Sequence, residues 1–487
     1  MVAIVKVDCE QDYPRPPFDP SSNYPEMSRL PYQHELSVEV NHIYEGVRAT
    51  LHRLGFDDEN YGTPDWNPLK ELVSDQDKVL IKPNLVSHEK KELVGSNVLV
   101  THASLIRPII DYVLLARQNN VQIIIADVPL QDANFEIMVA GNGLQELLSF
   151  YRNRGVTIAL LDLRQTVVFT DKHGFFTSKK KLAGDPSGYA VVDLSQKSEL
   201  VPIVKSRSSR FSVDFYDCLD AQSHHTKDIN EYCIGKTILE ADVVINVPKM
   251  KTHLKAGVTL SMKNLIGISG DKSWLPHYRI GSPRKGGDEH PGSVVATIHG
   301  GFTRRFQGKS KLVWTIGWAV WQLVKKTMGF FNIAQSRRTV GGAWQSNDTL
   351  WRTILDLNAI LFYANKSGIM SNNLQRKYLS IVDGIIAGEG SGPLRPMRRN
   401  AGLIVAGKDP VEVDLVSCRL MDLDWQKIPQ IREAIGKKYF KFTSLDSLAY
   451  DFSKNVQTDA HILDKLRDGS VIVKFQEPYG WRIGIQR

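Results

Sequence analysis

The fold is constrained most by a series of short apolar runs, each of which stops at a polar or charged residue. Residues 78–84 (KVLIKPN), 121–127 (VQIIIAD) and 158–162 (IALLD) are three such runs, and residues 101–118, between the first two, have the pattern of a helix. Strands that alternate with helices in this way are typical of a parallel sheet covered by helices. The sequence therefore predicts an α/β fold with a doubly wound core.

Similar runs recur in the second half of the chain, at residues 378–383 and 403–406. A chain of 487 residues, of which 42% are hydrophobic, is long enough for two or three domains. We therefore predict two α/β domains with mainly parallel sheets around a cleft, plus an amphipathic helical insertion. The predicted parts are residues 1–75 (N-terminal strand, connector and helix), 76–295 (main α/β domain), 296–345 (basic amphipathic insertion) and 346–487 (second α/β domain). Residues 232–240 are expected to be helical, and residues 470–486 to form strands that close the second domain.

Charge and cysteine content exclude several classes of protein. The formal net charge is +8, from 61 Lys and Arg against 53 Asp and Glu, which favours anionic partners modestly. No basic repeat, zinc-finger spacing or aromatic RNA-binding pattern is present, so no nucleic-acid partner is expected. The four cysteines form no C-x-x-C pair, so neither an iron–sulphur cluster nor a structural zinc site is expected. The first residues show no secretory-signal pattern, and we expect a cytoplasmic protein.

Residues 241–291 hold the densest group of lysines and histidines. An apolar run at residues 243–247 stops at Pro248, and the basic residues follow it. Ligands of α/β sheets bind beyond the carboxyl ends of the strands, so this stretch predicts a buried strand that delivers a cationic loop to an anion site. For any single lysine, an ordinary solvated surface is the alternative. The candidate binding residues are Lys82, Asn84, Lys249, Lys251, Asn264, Lys272 and Arg279, with Asp383 and Glu389 as acidic partners across the cleft.

His253 and Lys263, which lie ten residues apart, are the candidate catalytic pair. A lysine beside other cations is shifted toward its neutral, nucleophilic form, and a histidine serves as acid, base or metal ligand. Spacing alone does not decide between these roles. His277, Asp288 and His290 are candidate ligands of a divalent transition metal, although no H-x-x-x-H or C-x-x-C spacing accompanies them.

Several segments together resemble the bacterial and archaeal family known as domain of unknown function 362. They are KPN at residues 82–84, the strand that ends at Asp127, ADVVINVPKMKTHLKAGVTLSMKNLIGI, VDGIIAGEGSGP and GKDPVEVDLVS, and the resemblance extends from about residue 78 to residue 434. The resemblance implies an α/β fold, but it does not imply any particular activity. Some relatives carry cysteine-rich iron–sulphur modules, which this chain lacks. The tract after residue 343, with GGDEHP, resembles a subgroup associated with surface-polysaccharide gene sets.

A more distant resemblance concerns INVPKMKTHLKAGVTLSMK, which is similar to a segment of the nickel-pincer lactate racemases. In that family a histidine acts as acid/base, and a lysine ten positions later holds the pincer cofactor. The matching positions here are His253 and Lys263. This chain departs from the family in having Leu260, Ser261 and Met262 where a Gly-Gly-Arg precedes the lysine. The resemblance implies a two-domain α/β architecture with a cleft.

The segment LVWTIGWAVWQLVKKTMGFF, which begins at Leu312 and ends at Phe331, differs in composition from the rest of the chain. On a helix its tryptophans share one face, and basic residues flank it, a pattern that favours the surface of an anionic membrane. Lys325 and Lys326 interrupt the apolar run, so we do not expect it to cross a bilayer. A helix buried in the protein or in a homo-oligomer interface is the alternative.

Three functions remain open from the sequence. The first is an enzyme that binds an anionic small molecule, phosphorylated or carboxylated, such as a sugar or a lipid-linked sugar, in the interdomain cleft, with His253 as general acid/base. The second is a binding or scaffold protein that is peripheral at the inner face of the membrane. The third is a metal-dependent racemase or epimerase. The cofactor and the oligomeric state are left undefined.

Overall fold

The computed structural model describes residues 1–8, 12–89, 93, 95–117, 120–170, 176–204, 210–213, 218–291, 341–447 and 449–481. Most of the predicted insertion, including the whole segment from residue 312 to residue 331, lies outside the described residues. Within the described ranges, no helix is both long enough and apolar enough to span a bilayer.

The strands, in chain order, account for most of the apolar runs noted in the sequence. They are β1 (Val2–Lys6), β2 (Lys78–Pro83), β3 (Gln122–Asp127), β4 (Ile158–Asp162), β5 (Thr166–Thr170), β6 (Phe176–Lys181), β7 (Tyr189–Asp193), β8 (Phe211–Ser212), β9 (Glu231–Gly235), β10 (Val243–Val247), β11 (Lys249–His253), β12 (Gly257–Thr259), β13 (Tyr278–Arg279), β14 (Lys377–Ser391), β15 (Arg395–Gly407) and β16 (Val456–Gln457).

One ten-stranded sheet forms the centre of the molecule, in the order β16-β1-β15-β14-β10-β2-β3-β4, and β11 and β12 join it beside β14. The run from β14 through β10, β2 and β3 to β4 is parallel throughout. The long β14 and β15 form an antiparallel pair, and β15 also pairs antiparallel with β1. The predicted α/β class with a mainly parallel sheet is confirmed. The sheet combines strands that precede residue 346, the predicted start of the second domain, with strands that follow it. The predicted domain boundaries stay predictions.

Helices cover both faces of this sheet. They are α1 (His42–Arg53), α2 (Ala103–Arg117), α3 (Phe135–Gly141), α4 (Leu144–Arg152), α5 (Cys218–His224), α6 (Lys236–Glu240), α7 (Ser261–Asn264), α8 (Leu350–Tyr363), α9 (Pro410–Leu420), α10 (Pro429–Ile435), α11 (Phe452–Asn455) and α12 (Ala460–Asp468). Apolar residues of α1 to α4 form one core with the sheet, and apolar residues of α6 and α8 to α10 form the other.

Burial on both faces of the sheet explains the unbroken apolar sequence of strand β10. Val243 and Ile245 belong to the core under α1 to α4, whereas Val244 belongs to the core under α8 and α9. Successive side chains of a strand point to opposite faces, so a central strand buried on both sides is an unbroken apolar run. The polar residues that follow such a run are therefore delivered to the carboxyl edge of the sheet.

Three local predictions were wrong. The basic residues after Pro248 do not form a loop, because they continue as β11 and β12. Residues 232–240 are only half helical: Tyr232 and Ile234 alternate into the core as part of β9, and α6 begins at Lys236. Residues 470–481, the described part of the predicted closing strands, contain no strand.

Candidate anion-binding site

Strand β11 (KMKTH) brings its basic residues to one face. Lys249, Lys251 and His253 alternate with Met250 and Thr252, and alternate residues of a strand share a face. Met250 lies in the apolar core, whereas both lysines are fully buried and His253 is 5% exposed. Buried lysines require an explanation, because ionised amines are costly to remove from water.

Two of the buried lysines are neutralised by carboxylates. Lys82 Nζ donates to Asp127 Oδ1 at 2.7 Å, and the other oxygen of Asp127 accepts the backbone N–H of Leu85. Lys249 Nζ donates to Asp383 Oδ2 at 2.9 Å and to the hydroxyl of Tyr13 at 2.7 Å. Both pairs are buried, so they fix the strand ends in place and are not available to a ligand.

Three other lysines have no carboxylate partner among the described residues: Lys251, Lys263 and Lys272. Lys251 Nζ donates only to the carbonyl oxygen of Leu99, at 2.5 Å. Within the same ranges, the side chains of Lys263 and Lys272 make neither a hydrogen bond nor an ion pair. Lys263 is the most exposed of the three, being partly exposed where the other two are buried. We call Lys251, His253, Lys263 and Lys272 the basic cluster.

Burial and mutual repulsion lower the pKa of each unpaired lysine. Burial lowers the pKa of Lys263 to about 7, helped by the positive charges of Lys272, Lys255 and Lys82. Burial likewise lowers the pKa of Lys272 to about 8. The pKa of Lys251 is lowered well below its usual value by burial, then by Lys263. The site therefore holds amines that are ready to take up protons when negative charge arrives.

His253 is held as a neutral imidazole with a defined tautomer. Its Nδ1 accepts the backbone N–H groups of Lys255 and Ala256, both at 3.1 Å, so the proton of the neutral ring lies on Nε2. Burial lowers its pKa well below the usual value, and Lys263 is the next largest cause. The ring therefore offers an N–H donor.

Helix α7, which carries Lys263, is anchored at both ends. Asp414 accepts the backbone N–H groups of Ser261 at 2.6 Å and Met262 at 3.1 Å, as a carboxylate does at a helix N-terminus. At the other end, the Asn264 amide donates to Asn246 Oδ1 at 2.7 Å. The backbone under Lys263 is thereby tied both to α9 and to the central sheet.

The structure brings together most of the predicted binding residues. Asn84 Nδ2 donates to Asn264 Oδ1 at 2.9 Å, which places both amides beside the strand end that carries Lys82. The charges of Lys272 and Lys82 lower the pKa of Lys263, and the charge of Lys263 lowers the pKa of Lys251 and of His253. Asp383 joins the group only through its pair with Lys249.

Other predicted residues lie elsewhere or have structural partners. Arg279 Nη2 pairs with Asp288 Oδ1 at 2.9 Å, and Glu389 accepts the backbone N–H of Gln476 at 2.9 Å. His290 packs edge-on against Trp344, while His277 lies near enough to His253 to act on its pKa. In the part of the chain that the structure describes, no three His, Cys, Asp or Glu side chains are grouped as metal ligands.

Sequence patterns identified only some of the partners that shape the site. The apolar run that ends at Asp127 marks this carboxylate as a strand-end residue, but its pair with Lys82 does not follow from the pattern. Neither the contact of Tyr13 with Lys249 nor the capping of α7 by Asp414 was indicated. The strict alternation in KMKTH was the available signal that Lys249, Lys251 and His253 share a face. No comparable local signal indicates Tyr13 or Asp414, since both act on residues far away in the sequence.

Gly267 is expected to be essential for the Lys82–Asp127 pair. A Cβ atom at this position would lie 2.0 Å from Asp127 Oδ1 and 2.7 Å from Lys82 Nζ. We therefore expect Gly267→Ala to lower the free energy of unfolding by about 2 kcal/mol or more, as overpacking does in rigid cores. Urea denaturation measures this effect. Gly436→Ala is the matched control, because no atom lies within 4 Å of its added Cβ, and an equal loss in both variants would contradict the explanation.

Comparisons with known proteins give one family match and two distant similarities. The model of the family described as "Domain of unknown function (DUF362)" matches residues 159–419. A thylakoid-associated protein of Synechocystis is 24% identical over 241 residues, which are 48% of this chain and 47% of the relative. The match thus spans about half the length of that curated relative. A crystal structure of a protein from Thermotoga maritima has a TM-score of 0.34 and 11% identity, covering 77% of this chain and 58% of that one.

Proposed function

We propose, from the premise that the chain belongs to the domain of unknown function 362 family, that it is an enzyme that binds a small anionic molecule at the basic cluster and moves protons on it. The ligand class is phosphorylated or carboxylated, and a sugar or lipid-linked sugar carrying such a group fits it. The observation that carries the proposal is the set of three unpaired lysines, Lys251, Lys263 and Lys272.

An anionic ligand would supply the charge that these lysines lack. Burial removes the charged ammonium groups from water, which costs free energy, and the repulsion between them adds to this cost. A phosphate or carboxylate group that reaches Lys263 and Lys272 would stabilise their protonated forms. Lys82 and Lys249 differ, because Asp127 and Asp383 already neutralise them.

The roles proposed for Lys263 and His253 follow from the protonation state of each side chain near neutral pH. Lys263, with a pKa of about 7, exchanges its proton near neutral pH and is the proposed general acid/base. His253 donates from Nε2 to an oxygen atom of the substrate that gains negative charge, as a preorganised donor. The sequence predicted His253 as the general acid/base. We propose Lys263 for this role instead.

The pH dependence of anion binding tests the proposal. Sulfate keeps the same charge over the neutral range, so changes in its affinity report the protein. At pH 6 both Lys263 and Lys272 are protonated, and at pH 9 both are mostly neutral, given pKa values of about 7 and about 8. We expect affinity, measured by calorimetry at constant ionic strength, to fall about tenfold or more between these values. A double variant, Lys263→Met with Lys272→Met, should lose this dependence; affinity independent of pH in the wild type would refute the proposal.

The metal-dependent racemase or epimerase stays a prediction. The backbone N–H groups of Ser261 and Met262 donate to Asp414, which caps α7. Asp288 is engaged by Arg279 and Thr349. Leu260, Ser261 and Met262 offer no guanidinium group where the racemases have Gly-Gly-Arg, and we derive no step through the pincer group. Elemental analysis of protein purified without chelators decides whether a transition metal is bound.

Peripheral membrane association is a second proposed function, favoured by the tryptophan-rich segment at residues 312–331 and by the name of the thylakoid-associated relative. We expect the full chain to float with vesicles that contain phosphatidylglycerol and to stay behind with pure phosphatidylcholine. Replacing Trp314 and Trp318 by Glu should abolish flotation. A wild-type chain that floats with neither vesicle would remove this function.

A further inference from the structure

We propose that Lys263 forms an imine with a carbonyl carbon of the bound molecule, so that the substrate class narrows to small anions that carry an aldehyde or a ketone. This inference rests on the proposed anion binding and deepens it. It assigns the side chain of Lys263 a covalent role and that of His253 a role at the carbonyl oxygen.

The contacts in the cluster single out Lys263 as the nucleophile. Lys82 and Lys249 are held by carboxylates, and Lys251 donates to a backbone carbonyl. In the described ranges the amine of Lys263 has no hydrogen-bond or ion-pair partner, and its side chain is partly exposed. It is therefore the member of the cluster that a substrate can reach without breaking an existing contact.

The backbone of Lys263 is anchored, whereas its side-chain amine makes no hydrogen bond or ion pair among the described residues. Asp414 holds the first turn of α7, and Asn264 is bound to Asn246 and to the backbone of β2. A nucleophile on an anchored backbone presents its lone pair from a defined direction, which lowers the entropic cost of the attack. The neighbouring charges of Lys272 and Lys82 also favour the neutral amine, the reactive form.

The anion and the carbonyl have separate partners in this arrangement. Lys272, which is buried and has no ion pair among the described residues, is placed to attract the carboxylate or phosphate. His253, whose Nε2 carries the proton, is the donor for the carbonyl oxygen. A carbonyl compound without an anionic group would use only one of these two partners, so the site selects molecules that have both.

The step is balanced without an external oxidant or reductant. The amine lone pair of Lys263 forms the C–N bond as the carbonyl π bond breaks, and one nitrogen proton passes to the oxygen to give a neutral carbinolamine. The second nitrogen proton passes to the hydroxyl group, and the C–O bond breaks with departure of water as the C=N bond of the imine forms. Protonation of the imine nitrogen makes the adjacent C–H more acidic, and the acid/base role of Lys263 is then confined to the proton on this nitrogen.

Reductive trapping tests the inference on the wild-type chain. Glyoxylate is a small anion with an aldehyde, and cyanoborohydride reduces an imine formed from it to a stable carboxymethyl amine. At pH 7 we expect one such group per chain, mapped to Lys263 by peptide mass spectrometry and formed roughly tenfold or more faster than at any surface lysine, because ordinary lysines are almost fully protonated. Sulfate should protect Lys263. Lys263→Arg should abolish the fast adduct, and the exposed Lys285→Arg should leave it unchanged.

The outcomes separate this inference from the proposal on which it rests. Adducts spread at similar rates over surface lysines, with Lys263 unmodified, would overturn imine formation. If sulfate still binds with the expected pH dependence in that case, anion binding stands alone. If sulfate does not bind either, both proposals fail. Because the adduct is mapped in the wild type, the test does not depend on the stability of a variant.

Discussion

Replacement of Lys82 by methionine is expected to lower the free energy of unfolding by about 3–5 kcal/mol, the range found when one partner of a buried ion pair is removed. Lys82 is fully buried, and its amine is 2.7 Å from Asp127 Oδ1. The variant would leave the carboxylate of Asp127 without its hydrogen-bonded counter-charge. Two backbone N–H groups, from Leu85 and Val128, would remain on Asp127 and limit the loss.

Chemical denaturation at pH 7.5 measures this loss. The matched control is Lys285→Met, which replaces an exposed lysine and is expected to change stability by less than about 0.5 kcal/mol. A loss below about 1 kcal/mol in the Lys82 variant would mean that the pair is not a structural support.

Replacement of Lys263 by methionine is expected to raise the free energy of unfolding, which is the opposite of the effect expected for Lys82→Met. Its pKa in the folded chain, about 7, lies below the ordinary value near 10.4. The charged amine therefore destabilises the folded state fully below about pH 7, and this cost fades as pH rises toward the ordinary pKa. At pH 6 we expect the variant to be more stable than the wild type by on the order of 2 kcal/mol, since partial exposure of the side chain reduces the full value.

Denaturation curves from pH 6 to pH 10 test the sign and its pH window. The difference in unfolding free energy between the variant and the wild type should shrink as pH rises. Anion binding should be lost in the same variant. If Lys263→Met destabilises the fold at pH 6, then Lys263 has a stabilising partner, and its proposed place in the binding site is wrong.

The two variants together distinguish a structural lysine from a lysine of the proposed site. Lys82 has its counter-charge in Asp127, whereas Lys263 has no hydrogen-bond or ion-pair partner among the described residues, and we expect it to be retained at a cost in stability. Residues kept against stability are characteristic of sites that bind ligands or perform chemistry.

The sheet was predictable from sequence because its strands are local patterns. Val243 to Val247 is apolar on both faces, and the runs that became β2, β3 and β4 ended where the structure ends them, within about a residue. The basic residues after Pro248 were located correctly at the strand end. Their conformation was not, because a proline and a run of lysines suggest a loop more strongly than a buried strand.

The chemistry of the site depends on contacts that no local pattern contains. Asp383 neutralises Lys249 across 134 residues of sequence. The tautomer of His253 is set by two N–H groups of its own turn, which only the backbone path at Lys255 and Ala256 reveals. For this reason the sequence predicts His253 and Lys263 as a candidate pair but does not predict which of them would exchange a proton near neutral pH.

Proton uptake on anion binding shows whether the bound anion protonates Lys263 and Lys272. Sulfate is titrated calorimetrically into the wild-type chain at pH 8, in two buffers of different ionisation enthalpy, with ionic strength held constant by chloride. Because Lys263 and Lys272 have pKa values of about 7 and about 8, the account predicts uptake of about one proton per sulfate bound, and none in the double variant Lys263→Met, Lys272→Met. Binding without proton uptake, or no binding beyond that of chloride, would contradict it.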